Sequence, residues 1–189
     1  MAKNPRIGAV VLAAGLSRRA GTVNKLLSPV NGKAMVRGVV DMLSALPIDP
    51  VVVVTGFEAS EIKDVLSGCP VIFTHNADFA DGMGCSISCG VTTLPQEVAG
   101  ALICLGDMPH VTGDAIIKLV EAFREGKICV PVVDGKRGNP VLFSKTHFPA
   151  LKALKGDRGG KGVLSANPVS VHEVLTDDEG IFIDHDRVT

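Results

Sequence analysis

The chain has no tryptophan and no tyrosine; seven phenylalanines are its only aromatic residues, 4% of 189. Platforms that stack the bases of single-stranded nucleic acid are built from aromatic faces, so this composition argues against such a partner. Neither charge is in excess: 19 Lys and Arg face 20 Asp and Glu, for a formal −1. No strong overall field draws the protein to nucleic acid or to an anionic membrane. Long apolar runs are missing as well. The stretch from Ile7 to Leu16 is too short for a bilayer, which takes about 20 residues, and no cleavage-type signal peptide precedes it. A cytoplasmic protein is expected, with no nucleic acid and no membrane among its partners.

Cysteine is too sparse and too scattered to organise the fold. Cys69, Cys85, Cys89, Cys104 and Cys129 are odd in number and lack the close pairing of a secreted disulfide framework. Cys85 and Cys89 are four apart, but no second Cys/His pair completes a zinc site. Cys104 lies in an apolar run and reads as a small core residue. His75, His110, His147, His172 and His185 are dispersed, and none is placed to activate a thiol. Of these, only His185 stands near a candidate site, where a solvated or supporting role outweighs metal ligation.

What is present is a core. Hydrophobic residues make up 46% and charged residues 21%, a globular composition rather than a disordered one. The length suits one domain spanning 1–189. Apolar runs alternate with amphipathic segments. Residues 7–14 (IGAVVLAA) form a continuous apolar run ending at Gly15, the pattern of a strand buried on both faces. Residues 51–55, 71–75, 101–105, 128–133 and 141–143 are further strands, with 169–175 and 180–183 as late candidates. Helices are expected over 35–46, 58–66 and 148–154, and within 83–94 from Ser86 onward. Another follows a Thr112 cap and carries Ile116, Leu119, Val120 and Phe123 on one face. The repeated strand–helix–strand order predicts a three-layer α/β/α sandwich around a mostly parallel, Rossmann-like sheet.

Ligands of such sheets bind beyond the carboxyl ends of the strands, and two groups of residues stand there. After the first strand comes LAAGLSRRAGTVNK. Leu12, Ala13, Ala14 and Gly15 let a ligand approach the backbone; Ser17, Arg18, Arg19 and Lys25 follow. Polyphosphates need backbone N–H groups and fixed positive charge, and Arg and Lys are cationic at pH 7 without tuning. Neither a P-loop nor G-x-G-x-x-G is present, and a surface turn with two solvated arginines remains the plain alternative. After the fourth strand, Asp107 sits in GDMP, placed to hold Mg²⁺ or, more plainly, to cap a turn. In IFIDHDRVT, Asp184 and Asp186 are two apart, on one face if the segment is a strand. One of them is the candidate second ligand, since Mg²⁺ takes one or two carboxylates and leaves the rest to water and phosphate. Helix termini stabilise an anion by only about 0.3–1 kcal/mol, against barrier reductions of roughly 8–23 kcal/mol in enzymes. Phosphoryl chemistry therefore calls for the metal together with Lys25 and Arg19.

These residues resemble a known family. The LAAGLSRRAGTVNKLL segment is similar to the opening of the molybdenum cofactor cytidylyltransferases, Rossmann-like nucleotidyltransferases of the nucleotide-diphospho-sugar transferase type. The resemblance continues through DGMGCSISCGV, GDMP, GKRGNPVLF and LKGDRGGKGVL, covering most of the chain in family order. It implies transfer of CMP from CTP to the terminal phosphate of molybdopterin, with Mg²⁺ as cofactor and pyrophosphate released. It implies that Ala13, Ala14 and Gly15 lie near cytosine and ribose, and Gly82 and Ser86 near the base. Arg19 and Lys25 contact the triphosphate, and Asp107 with Asp186 binds the metal. Gly138, Asn139, Pro140, Gly156, Asp157 and Gly160 face the acceptor. Guanylyl-transferring relatives more often read LAGG, so Ala14 favours CTP.

The chain departs from the pattern at Ala20, where Met is usual, and at GGK (159–161), where GAR is usual. It also departs at DHDRVT, which bears on the second metal ligand. A monomer or weak dimer is expected, with a molybdenum hydroxylase as the implied client. Three rivals stand beside this reading. One is a transferase using GTP or another phosphorylated acceptor. Another is a non-catalytic carrier of the cofactor. The third, a nicotinamide-dependent oxidoreductase, lacks the glycine fingerprint and has Thr55-Gly56 where the second strand should end in an acid.

Overall fold

The computed structural model describes residues 5–16 and 24–184. In chain order the strands are β1 (Ile7–Ala13), β2 (Pro29–Val30), β3 (Lys33–Ala34), β4 (Val51–Thr55), β5 (Val71–His75), β6 (Gly100–Leu105), β7 (Ile128–Val133), β8 (Lys136–Arg137), β9 (Val141–Ser144) and β10 (Val171–Leu175). The helices are α1 (Met35–Ser44), α2 (Ala59–Val65), α3 (Met83–Thr93), α4 (Gly113–Glu121), α5 (Phe148–Lys152) and α6 (Lys161–Ala166). The large sheet runs β10-β7-β9-β6-β1-β4-β5, with β8 paired to β7. It is parallel except at β9, which runs against both neighbours, and at β8.

β1 sits between β4 and β6, so both its edges and both its faces are covered. That is why its sequence is continuously apolar instead of alternating. Successive side chains go to opposite layers. Ala9, Val11 and Ala13 join α1, α2 and α4 through Val36, Val39, Leu43, Ile62, Ile116 and Leu119. Val10 and Ala14 join α3, α5 and α6 through Ile87, Val91, Phe148, Leu151 and Val163. Two helical layers thus enclose the sheet, as the sequence pattern predicts. Each fully buried Val, Leu or Ile contributes about 1.5–3 kcal/mol.

Most departures from the expected boundaries are a residue or two at an end. Two are larger. α3 begins at Met83, not Ser86, directly after Gly82 at φ 116°. Gly84 disguises this first turn, because glycine is a poor helix former. Glycine is nonetheless needed there, since a Cβ would lie 2.8 Å from the Gly156 carbonyl oxygen. The expected strand over 180–183 is instead a 3₁₀ turn, Glu179–Phe182. Asp178 imposes it by accepting the Gly180 N–H at 2.9 Å and, with its other oxygen, the Thr112 N–H and hydroxyl at 2.8 and 2.9 Å. Similarly, β10 begins only at Val171, behind a 3₁₀ turn at Pro168–Ser170. Among the described residues no helix is long and apolar enough to cross a membrane, and Cys104 is buried in the core.

Candidate active site

The carboxyl ends of β1, β4, β5 and β6 converge on one rim, and glycines allow the approach. The Leu12 carbonyl accepts the Gly106 N–H at 3.1 Å, and a Cβ on Gly106 would lie 2.9 Å from that oxygen. On the other side the Ala14 carbonyl accepts the Phe57 N–H at 3.3 Å. A Cβ on Gly56 would lie 2.8 Å from the Ala14 oxygen and 2.6 Å from Phe79. Ala13 and Ala14 are buried and Gly15 is exposed, and among the described residues nothing lies within 4 Å of where its Cβ would stand. Toward the described residues, the chain therefore leaves the sheet at Gly15 with one open side.

Lys25 opens a 3₁₀ turn, Lys25–Leu27, capped by Asn24, whose side-chain oxygen accepts the Leu26 N–H at 3.1 Å. Leu26 is buried and anchors the turn. Asp107 follows β6 between Gly106 and Met108, both buried, which fixes the turn while its own carboxylate stays partly open. The two side chains meet: Lys25 Nζ lies 2.6 Å from Asp107 Oδ2, with 16% and 18% of each side chain exposed. A charge pair this sheltered is held against a desolvation cost. The strand tip and the distant lysine thus meet as one sheltered pair.

Beside it, Asn76 directly follows β5. Its N–H donates to the Thr55 carbonyl at 2.8 Å, and its side-chain nitrogen donates to the Ser86 hydroxyl of α3 at 3.0 Å. Asn76 was not among the residues singled out from the sequence. Its only outward signal is position, directly after a strand and six residues before Gly82. Gly82 carries the next contact. Its backbone is overlaid by the 3₁₀ turn Gly156–Arg158, so that a Cβ there would lie 2.4 Å from Asp157 Oδ1 and 2.4 Å from Gly156. Gly160 stacks on Phe143, 3.2 Å from where its Cβ would be. Two segments expected to face different ligands, 82–86 and 156–160, are thus in direct contact.

Gly138, Asn139 and Pro140 reach the rim by a different route. β9 is antiparallel to β6, pairing Ile103 with Val141, so it brings its beginning, not its end, to the carboxyl end of β6. Just ahead of that pair, Pro140 lines a small cavity with Leu105 and Met108, the residues that flank Gly106 and Asp107. The Asn139 N–H donates to the Ile181 carbonyl at 3.0 Å, and Ile181 presses on Gly138, 2.6 Å from where a Cβ would stand. Asp184 lies past the 3₁₀ turn, exposed and outside any strand, so the same-face argument for Asp184 and Asp186 does not hold for the described part of that segment. Ser17, Arg18, Arg19, Ala20, His185 and Asp186 lie outside the described residues. A separate surface cavity of about 770 Å³ between α4 and the 176–180 segment has an acidic lining but contains neither Lys25 nor Asp107.

The chain has relatives. PucB, the purine catabolism protein of Bacillus subtilis (strain 168), is 32% identical over 185 residues, 92% of this chain and 87% of PucB. The nicotine blue oxidoreductase of Paenarthrobacter nicotinovorans is 26% identical over 97% of this chain and 94% of its own. The crystal structure of a homologue of Mycobacterium tuberculosis Rv0371c, from Mycobacterium sp. strain JC1, superposes with a TM-score of 0.83 at 27% identity, over 96% of this chain and 90% of that one. The family described as MobA-like NTP transferase domain matches residues 9–172, from within β1 into β10. The chain belongs to the MobA-like NTP transferase family and is a nucleotidyltransferase.

Proposed function

We propose that the chain transfers CMP from CTP to the terminal phosphate of a molybdopterin-type acceptor, releasing pyrophosphate. The observation that carries the proposal is the 2.6 Å approach of Lys25 to Asp107, with less than a fifth of either side chain exposed. It supports a reading in which one polyphosphate and its metal engage this cation and this carboxylate together. The Asp107 carboxylate fits Mg²⁺: it already faces a cation, the Lys25 ammonium, and Mg²⁺ is commonly held by one or two carboxylates with water and phosphate filling its other positions. Asp107 would hold it, with Asp186 as partner, and when bound it supplies charge neutralisation on the triphosphate.

The remaining work falls to the chain's own groups. Leu12 to Gly15, Gly82 and Ser86 form the nucleotide pocket, and the open side of Gly15 lets the ligand lie against backbone. Lys25, with Ser17 and Arg19, binds the triphosphate oxygens and weakens their repulsion of the incoming phosphate. Gly138, Asn139 and Pro140, with Gly156, Asp157 and Gly160, hold the acceptor. Because Asp157 and Gly156 rest on Gly82, seating the nucleotide and seating the acceptor act on the same backbone. The acceptor phosphate is already ionised at pH 7, so its oxygen attacks the α-phosphorus without a general base, and the α–β bridging bond breaks to free pyrophosphate. Ala14 in LAAG supports CTP over GTP.

A second reading comes from the name of the nicotine blue oxidoreductase relative. Against it, Gly56 at the end of β4 is pressed against Phe79 and Ala14, where a nicotinamide cofactor's ribose would need an acidic partner and space. The test is one tube with CTP, Mg²⁺ and molybdopterin, and a parallel one with GTP. Pyrophosphate release with CTP is expected. Binding without release would favour a carrier, and release with GTP alone would make the chain a guanylyltransferase. Oxidation of a reduced nicotinamide cofactor with no pyrophosphate would replace the proposal altogether. Melting curves with each nucleotide and Mg²⁺ read selectivity independently.

A further inference from the structure

The buried amide–hydroxyl contact between Asn76 and Ser86 has a direction, and the direction can be deduced. The Asp78 N–H donates to Asn76 Oδ1 at 3.1 Å. A backbone N–H can only donate, so the amide oxygen must face it and the amide nitrogen must face Ser86. That nitrogen, 3.0 Å from Ser86 Oγ, cannot accept. The Ser86 hydroxyl therefore accepts from Asn76, and its own proton points elsewhere. Among the described residues that proton has no acceptor, although Ser86 is only 5% exposed. A buried donor left unspent is costly.

The fold places that proton on the rim. On α3, a Cβ on Gly90 would meet Val10 in the middle of β1 and Val54, the last residue but one of β4. Phe79, just before the helix, lies against Gly56 and the Ala14 oxygen, at the carboxyl ends of the same two strands. Ser86 is one turn, about 5.4 Å, above Gly90, and so lies between those points, over the exit from β1. We propose that Asn76 is a positioning residue that presets the Ser86 hydroxyl as a hydrogen-bond donor to the bound nucleotide, at an acceptor atom of its base edge. The proposal rests on the reading of Ser86 as part of the nucleotide pocket.

Asn76→Asp tests it, because it keeps the shape and the bond from the Asp78 N–H while removing the donor. The Ser86 proton then turns to the introduced carboxylate and is lost to the nucleotide. Burial pushes such a carboxylate's pKa up, so acid restores a donor: the protonated acid again gives a hydrogen to Ser86. The other titratable groups nearby are His75, Asp78 and Asp81 on the same loop, Cys85 and Cys89 on α3, and Asp157 over Gly82. All are present in the wild type, whose own pH profile subtracts them.

The readout is nucleotide affinity from melting curves, with Mg²⁺ and whichever of CTP or GTP stabilises the wild type. N76D is expected to bind about tenfold more weakly above neutral pH and to recover as pH falls. Ser86→Ala is expected to lose a similar factor at every pH. N76D affinity equal to wild type, or a loss that acid does not repair, overturns the proposal while S86A still reports on the pocket. S86A binding as tightly as wild type removes Ser86 from the pocket and the proposal with it. If N76D does not fold, Asn76→Ala and S86A close a double-mutant cycle: the double variant should lose no more than S86A alone, and additive losses refute the coupling.

Discussion

The two ends of the same three strands carry ion pairs of equal length and opposite character. At the amino ends, Arg6 enters β1 with its guanidinium 2.6 Å from Asp49, ahead of β4, and 2.6 Å from Glu97, ahead of β6. The Arg6 guanidinium is held above its usual range, chiefly by its hydrogen bond to Asp49. Those side chains are 39%, 75% and 62% exposed, so water and salt compete for every one of them. At the carboxyl ends, Lys25 and Asp107 are also 2.6 Å apart but less than a fifth exposed. Distance alone would rank the two ends alike. Shelter separates them: the first cluster can dissolve into solvent at little cost, whereas the second keeps two charges largely out of water.

The sharpest way to break this contrast is Asp107→Asn, which keeps the shape and removes the charge. Pyrophosphate release is expected to fall on the order of a thousandfold, with the circular dichroism spectrum unchanged. Release near the wild-type rate from a folded variant would mean that the sheltered pair is merely structural. Lys25→Met attacks the same pair from the other side. The lysine ammonium lies on Asp107 Oδ2, so if that carboxylate holds the metal as proposed, the two cations compete for it. Removing the ammonium should tighten binding of Mn²⁺, followed by its free-ion paramagnetic signal, on the order of tenfold. Equal affinity in wild type and variant would show that the lysine does not compete for that carboxylate. Tightening that survives in the Lys25→Met, Asp107→Asn double variant would place the ion elsewhere.

The carboxyl-end rim was legible in the sequence to different depths. β1, β4 and β6 are buried on both faces, so each appears as an unbroken apolar run, and whatever follows such a run is marked as rim: Gly15, Gly56, Asp107. Asn76 was missed because its importance is relational. It depends on a hydroxyl ten residues away, and β5 is an edge strand with an exposed Ile72 and a weaker apolar signature. Gly138 to Pro140 were legible only by family resemblance, since the strand-end rule fails for a strand that runs backward. α3 was read three residues late because Gly82 and Gly84 look like loop. Their reason is the 156–158 turn lying on them, a contact across more than seventy residues that no local pattern encodes. The 180–183 segment misled in the opposite sense: an apolar I-F-I reads as strand, but Asp178 gathers the neighbouring N–H groups into a turn.

Gly15 offers a gentler test of the functional rim. Among the described residues nothing lies within 4 Å of the position of its Cβ, so Gly15→Ala should leave the melting point of the nucleotide-free protein unchanged. If a nucleotide lies against that backbone, the added methyl should weaken binding by roughly tenfold, consistent with the 1–3 kcal/mol of an overpacked contact. Undiminished stabilisation by CTP would move the ligand off Gly15.

The smallest effect belongs to the other end. Arg6→Ala removes both exposed pairs together with the 3.1 Å bond from its Nε to the Asp49 carbonyl, yet nothing it leaves behind is buried. Asp49 and Glu97 return to water with their charges solvated, so no uncompensated group remains to destabilise the fold. The melting temperature should fall by less than about 2 °C, the difference should shrink at high salt, and pyrophosphate release should stay at the wild-type rate. A salt-independent drop of many degrees would show that the amino-end cluster pins the entries of β1, β4 and β6 as a unit. Exposure would then have misjudged the first cluster, and shelter could no longer serve as the ground for assigning function to the second.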